Sequence, residues 1–167
     1  MQYRRAFVPG GSWFFTVVTR DRRPIFASAD AVDVLRDAFR TVRAKHAFAT
    51  DAIVVLPDHL HCIWTLPPGD ADFATRWRLV KTRVAQRLDP ALRGDGRIWQ
   101  HRFWEHLLRD EDDLARHVDY IHFNPVKHGL VDRAVGWPHS SVHRYVAAGV
   151  LPADWGLSTE LDGVGNE

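Results

Sequence analysis

Between Ile53 and Trp64 the chain is a nearly unbroken run of β-branched, aliphatic and aromatic residues, interrupted only around Pro57-Asp58 and by two histidines. Such a run reads as two strands, over residues 52–56 and 59–66, with Pro57-Asp58 as the turn between them. Side chains alternate across a strand with a period of two, so His59 and His61 leave one face and Leu60 the other. Two imidazoles about 7 Å apart along a strand can converge on one metal ion. The pair alone marks a solvated sheet face equally well.

The rest of the chain extends this hairpin into a sheet. Trp13 to Thr19, aromatic and β-branched after Pro9-Gly10-Gly11, reads as a strand. Residues 30–46 place Val32, Leu35, Phe39 and Val42 at helical spacing, with Asp30 as the candidate N-cap. Residues 72–88 form a second helix with Phe73, Trp77, Val80, Val84 and Leu88 inward, leaving Arg76, Lys81, Arg83 and Arg87 mostly outward. After the Gly94-Asp95-Gly96 loop, the stretch near Phe103 to Leu108 reads as a fourth strand. Residues 111–124 form a third helix, with Leu114, Val118 and Ile121 on its core stripe and Glu111, Asp112 and Asp113 complementing its dipole. Pro125 biases Asn124 away from helical geometry, so this helix is expected to end there. The order β-α-β-β-α-β-α matches an α+β, ferredoxin-like βαββαβ sandwich, an antiparallel sheet with two helices on one face, plus an added C-terminal helix. One domain over residues 1–150 is expected, followed by an acidic, mobile tail over 151–167.

Composition narrows the class. A chain of 167 residues with a 46% hydrophobic fraction suits one globular domain with one core. No apolar run reaches the ~18 residues of a membrane span, so no membrane partner is expected. Met1 to Arg5 lacks the apolar stretch of a secretory signal, and the single Cys62 excludes an internal disulfide; the expected location is the cytoplasm. Cys62 alternates away from the histidine pair and reads as a small core residue. The net charge of +1 conceals basic blocks: residues 76–109 carry nine Lys/Arg against three acids. With Trp77, Trp99, Phe103 and Trp104 interleaved, such a block fits nucleic acid, although a solvated helix face over core aromatics looks the same. Those three tryptophans are expected in the core.

Tyr120 and Asn124 are four residues apart, on one face near the end of the third helix. A phenol, with a pKa near 10, is a weak nucleophile at neutral pH. Its attack on a phosphodiester needs a cation to neutralise the phosphate. Two strand imidazoles and a helix-end amide oxygen can hold that cation beside the tyrosine. Imidazole ligands alone would also suit Zn²⁺.

With these residues in view, a family resemblance appears. Pro57-Asp58-His59-Leu60-His61 resembles the His-hydrophobic-His signature of the HUH single-strand endonucleases. Tyr120-Ile121-His122-Phe123-Asn124-Pro125-Val126-Lys127-His128-Gly129 resembles the tyrosine helix of the Y1 transposases, and within them the REP-associated tyrosine transposases match best. The blocks Phe14-Phe15-Thr16-Val17-Val18-Thr19, Trp99 to His106, and Trp137-Pro138-His139-Ser140-Ser141 carry the same likeness, which spans roughly residues 3 to 146.

The resemblance implies Mg²⁺ or Mn²⁺ held by His59, His61 and Asn124, with Tyr120 attacking a single-stranded DNA phosphate. It implies a 5′-phosphotyrosine intermediate, a free 3′-OH, and substrates that are REP-like palindromic hairpins. It also favours a monomer over the dimers, with the tyrosine helix supplied in trans, of some wider relatives. Asp58 and Glu105 are candidates to support the metal ligands or accept a proton. Arg4, Arg5, Arg20, Lys81, Arg83, Arg102 and Lys127 are candidate DNA contacts, since arginine suits phosphates and guanine edges. Ser140, Ser141 and His143 are placed beside the stem by analogy. Two other classes remain open: a non-catalytic single-strand nucleic-acid-binding module on the same fold, and a metal hydrolase acting on a small molecule.

Overall fold

The computed structural model describes residues 8–157. Arg4, Arg5 and tail residues 158–167 lie outside the described residues. The elements run β1 (Ser12–Val18), α1 (Ala29–Lys45), β2 (Ala49–Val55), β3 (His59–Thr65), α2 (Phe73–Arg87), α3 (Pro90–Arg93), β4 (Trp104–Leu107), α4 (Glu111–Lys127) and α5 (Val142–Ala147). The sheet order is β2-β3-β1-β4, and every neighbouring pair is antiparallel. This is the expected βαββαβ arrangement.

Period-two alternation divides the sheet into two faces. Trp13, Phe15, Val17, Leu60, Cys62 and Trp64 face α1 and α2, which answer with the predicted stripes from Val32 to Val42 and from Phe73 to Leu88. The Trp64 ring lies between Phe48 and Trp77, with centroids 4.2 and 4.1 Å away. Each such aromatic pair adds about 0.5–1.5 kcal/mol beyond its buried area. On the other face, Phe14, Ala52, Val54 and Ile63 pack under Leu114, Val118 and Ile121 of α4. The added helix therefore closes the second face, and the molecule has three layers.

Four expectations need correction. Asp30 lies inside the first turn of α1, and the N-cap is Ser28, whose Oγ accepts from Ala31 N–H at 3.4 Å. The last helix does not stop at Asn124 but runs through Pro125 to Lys127. Proline loses its own N–H bond and crowds the carbonyl one turn back, a cost the helix carries near its last turn. The end is closed instead by Leu130 N–H donating to Pro125 O at 2.9 Å and Gly129 N–H to Val126 O at 2.9 Å, with Gly129 at φ +70°. That is a Schellman-type stop.

Arg76 does not point outward. It is 3% exposed, donating to the carbonyls of His46, Ala47 and Asp72 and pairing with Asp70 at 2.7 Å. Full use of the guanidinium fork offsets its burial.

The segment after residue 150 does not hang free up to the limit of the described residues. Leu151 and Trp155 pack with Phe123, Val126, Ala134 and Val142, and Leu157 bridges to Arg133.

Candidate active site

The site forms where α4 crosses the end of β3. His59 and His61 both face α4 and are buried. Their rings are 4.9 Å apart, centroid to centroid. Each has its Nδ1 engaged: His59 with Asp58 Oδ1 at 2.6 Å, His61 with Thr16 Oγ1 at 2.8 Å. Thr16 is the register partner of His61 across β1 and β3, so the antiparallel pairing itself sets this contact. With Nδ1–H donating to these oxygens, both Nε2 lone pairs remain for a ligand.

Burial, reinforced by His59, His128 and Lys127, pushes the His61 pKa well below its ordinary value, keeping the ring neutral. Burial alone would raise Asp58. Its hydrogen bond and charge attraction to His59, with Arg22 at 3.3 Å, outweigh this and hold it below the usual carboxylate value.

Over these rings α4 places the candidate side chains Tyr120 and Asn124 one turn apart. The Tyr120 ring centroid is 5.2 Å from that of His61 and 5.9 Å from that of Phe14. Asn124 is fully buried, and neither its Oδ1 nor its Nδ2 has a hydrogen-bond partner. A buried polar group left unpaired costs about 1–3 kcal/mol. Such an orphan, between Tyr120 at His61 and His128 at His59 along α4, fits a cation donor. The Lys127 ammonium lies 5.0 Å from the Tyr120 ring centroid.

Several neighbours escaped the sequence reading. The His128 ring is 5.3 Å from His59, and both line a mouth of about 340 Å³ with Arg22 and Asp58. Residues 120, 124 and 128 are spaced four apart, a helical signal hidden by ending the helix at Pro125. Arg22 reaches Asp58 because Asp21 and Arg22 both take left-handed backbone, at φ 55° and 50°, which nothing in their side chains announces.

Glu105 does not join the site. It pairs with Phe15, so its side chain takes the α1/α2 face, opposite His61. His122 turns away from the site as well, with Nε2 2.7 Å from Ser141 Oγ, and burial lowers its pKa to about 4. Ser141 Oγ also accepts from Ile53 N–H at 2.8 Å, so it fastens the C-terminal segment to β2.

A second donor cluster sits beyond Phe14. His106, Asp113 and His117 bring ligand atoms within 4.8 Å of one another, so this cluster too has donors for a metal ion. Its carboxylate is already engaged, by His106 Nε2 at 2.9 Å and Arg109 N–H at 3.0 Å, with Arg116 at 3.5 Å. Burial opposes ionisation here, but these partners prevail and pull Asp113 down to about 2. The geometry ties the first turn of α4 to β4.

The candidate DNA contacts divide. Arg20 and Lys81 share a groove of about 630 Å³ with Arg97, Trp99, Gln100 and His101. Thr19 anchors the groove to the histidine turn, bridging Trp99 and donating its N–H to Asp58 O at 2.9 Å. Arg83 pairs with Asp37 at 3.1 Å, joining α2 to α1, and Arg20 pairs with the exposed Asp95 at 3.2 Å at the groove's edge. Arg102 is exposed. Trp104, expected in the core, is 59% exposed. It is in register with Thr16, as is His61 on the other side, so it stands on the same face as the histidines. It is exposed because β4 is an edge strand and α4 covers His106 rather than its neighbour.

No protein-family model matches the chain. A REP-associated tyrosine transposase of Escherichia coli K12 is 47% identical over 92% of this chain and 90% of its own length. A Haemophilus influenzae protein provisionally named for the same group is 42% identical over 95% of both chains. A solved structure of a REP-associated tyrosine transposase bound to a REP hairpin superposes with a TM-score of 0.84 at 45% identity, covering 100% of this chain and 98% of the other. Fold and relatives agree on an enzyme class that acts on DNA. The chain belongs to the REP-associated tyrosine transposases.

Proposed function

We propose that this chain cleaves and rejoins single-stranded DNA at REP-type hairpins, with Tyr120 as the nucleophile. The observation that carries this reading is the docking of α4 over β3. It sets the Tyr120 ring 5.2 Å from His61, with the unpaired, buried amide of Asn124 one turn further along. The substrate class follows from the relatives, one of them bound to a REP hairpin.

His59, His61 and Asn124 fit a divalent ion. Two imidazoles have their Nδ1 atoms tied to neighbours, as metal-ligating histidines characteristically do, and the amide has no competing partner. Mg²⁺ or Mn²⁺ held there would neutralise charge at the scissile phosphate.

The other roles fall to the chain. Tyr120 Oη attacks phosphorus; the new O–P bond forms as the P–O3′ bond breaks. The phenolic proton leaves to solvent, and the departing oxygen gains a proton as a 3′-OH. Because the 5′-phosphotyrosine is a diester like the bond it replaces, a 3′-OH can attack it and release the phenol without a nucleotide cofactor. Lys127 places positive charge beside the phenol as it becomes anionic. Arg20 and Lys81 line the approach of the unpaired strand, exposed Arg102 follows the groove residue His101, and Trp104 offers a face on which a base stacks. Every group in this scheme comes from one chain, in keeping with a monomer.

The test is a REP-type hairpin with a single-stranded extension, incubated with Mn²⁺ and resolved for covalent protein–DNA adduct. Tyr120→Phe should lose the adduct and the nick while binding the hairpin within about twofold of wild type. Nicking retained by that variant removes Tyr120 as nucleophile; a wild type that binds and never nicks leaves only a binding module.

A further inference from the structure

A cleft of about 360 Å³ runs along β2, the edge strand farthest from β4, and belongs to neither the histidine site nor the Arg20–Lys81 groove. Its floor is apolar, with Phe39 from α1 and Ile53 and Val55 from β2. Its walls are cationic: Arg36, Arg40 and Arg43 from α1 face Arg144 from α5.

The spacing of the first three, four and then three residues, keeps them on one face of α1 over about 10 Å of helix. Arg144 is held by donating Nη2 to the Thr50 and Asp51 carbonyls at 3.1 and 2.6 Å. Countercharge is thin. Asp33 lies 3.6 Å from Arg36, and Asp37, 3.8 Å from Arg40, is nearer to Arg83 at 3.1 Å. Arg43 has no ion pair among the described residues.

Four guanidiniums around an open cleft are a site for anions, and their linear arrangement fits a chain of them. A row of about 10 Å spans roughly three steps of one DNA strand, at 3.4 Å per step. Guanidinium forks pair with phosphates in two-pronged fashion, and the apolar floor suits sugar faces. Two aromatic rings line the cleft: Phe39 is buried, and His139 is half-buried, edge-on to Trp137 and 3.4 Å from Arg36, so neither presents an open face on which an unpaired base stacks. Contacts restricted to the backbone suit paired DNA. One end lies close to the chemistry: Val55 pairs with Leu60, the residue between the two histidines.

We propose that this cleft grips the sugar–phosphate backbone of the hairpin's paired stem. The duplex then lies along the β2 edge while its unpaired extension reaches His59, His61 and Tyr120. The inference rests on the function proposed above.

The experiment compares the full chain with a triple variant, Arg36→Ala, Arg40→Ala and Arg43→Ala, on two probes: the hairpin with its extension, and the extension alone. For the hairpin, the expected loss is about 10- to 100-fold in affinity near 100 mM salt. The slope of log affinity against log salt should flatten by about two to three. The extension alone should change by less than about twofold. The matching triple lysine variant, which restores point charge, should recover most of the loss. The exposed positions predict an unchanged melting temperature, which separates this from misfolding. Equal losses on both probes, or no loss on the hairpin, overturn the cleft as the stem site. A wild type with no preference for the hairpin over the extension refutes the functional reading itself, and the cleft proposal with it.

Discussion

Replacing Asn124 with leucine should stabilise the ion-free protein while disabling its ion site. Leucine has the same branching at Cγ but no polar atoms. In the folded chain both polar atoms of the Asn124 side chain are buried without partners. Each such atom costs about 1–3 kcal/mol, and the extra apolar bulk offsets part of the relief, so a net gain of roughly 2 kcal/mol is expected. For a domain of this size 1 kcal/mol moves Tm by about 2–4 °C, so the variant should melt about 4–8 °C higher in EDTA. Added Mn²⁺ reverses the advantage. An ion at a hundred times its Kd stabilises the wild type by about 2.7 kcal/mol. The variant, retaining only the two imidazoles, should shift by less than half as much. Differential scanning fluorimetry with and without Mn²⁺ reads both quantities. A variant melting below wild type in EDTA, or equal Mn²⁺ shifts in the two proteins, would refute the view of Asn124 as an orphan kept for a cation.

The remaining predictions concern the groups around that site. Asp58→Asn removes the carboxylate that fixes the His59 ring and should weaken Mn²⁺ binding about 10- to 100-fold by calorimetry, with little change in DNA binding. Asp113→Asn should lower Tm at pH 7. Because the folded-state pKa of Asp113 is depressed to about 2 from 3.8, its contribution is present above pH 3.8 and fades as pH falls toward 2, so thermal melts of variant and wild type should converge over that window. Trp104→Ala should weaken binding of the unpaired extension by about 1–3 kcal/mol without altering fold stability, since the ring is exposed; an unchanged Kd would remove it as a stacking platform.

Much of this architecture is legible in the residue pattern, for reasons that also explain the gaps. The hairpin at Pro57-Asp58 and the shared face of His59 and His61 follow from strand alternation, which tertiary packing rarely overrides. The stripes from Val32 to Val42 and from Phe73 to Leu88 follow from helical periodicity. Asn124 as the last helical residue failed because the proline rule concerns a local preference, and the capping hydrogen bonds around Gly129 outweigh it. Trp104 was misplaced because composition favours burying indoles, whereas its exposure depends on how far α4 extends over an edge strand. Arg76 is buried for the opposite reason: carbonyls of His46 and Ala47, distant in sequence and invisible to periodicity, join Asp70 and Asp72 in surrounding it. Thr16 is a partner of His61 only through strand register, and Glu105 is excluded from the site by the same register.

The carboxylate of Asp113 fastens one end of α4 to β4, and Phe123 and Val126 pack the other against Ala134 and Val142. The proposed nucleophile, on a helix held at both ends above its own chain's histidines, has no need to wait for a second molecule. Dilution should therefore leave the single-turnover cleavage rate of a pre-formed protein–hairpin complex unchanged, and Tyr120→Phe protein, with hairpin in excess over all protein, should neither rescue a histidine-deficient chain nor poison an intact one.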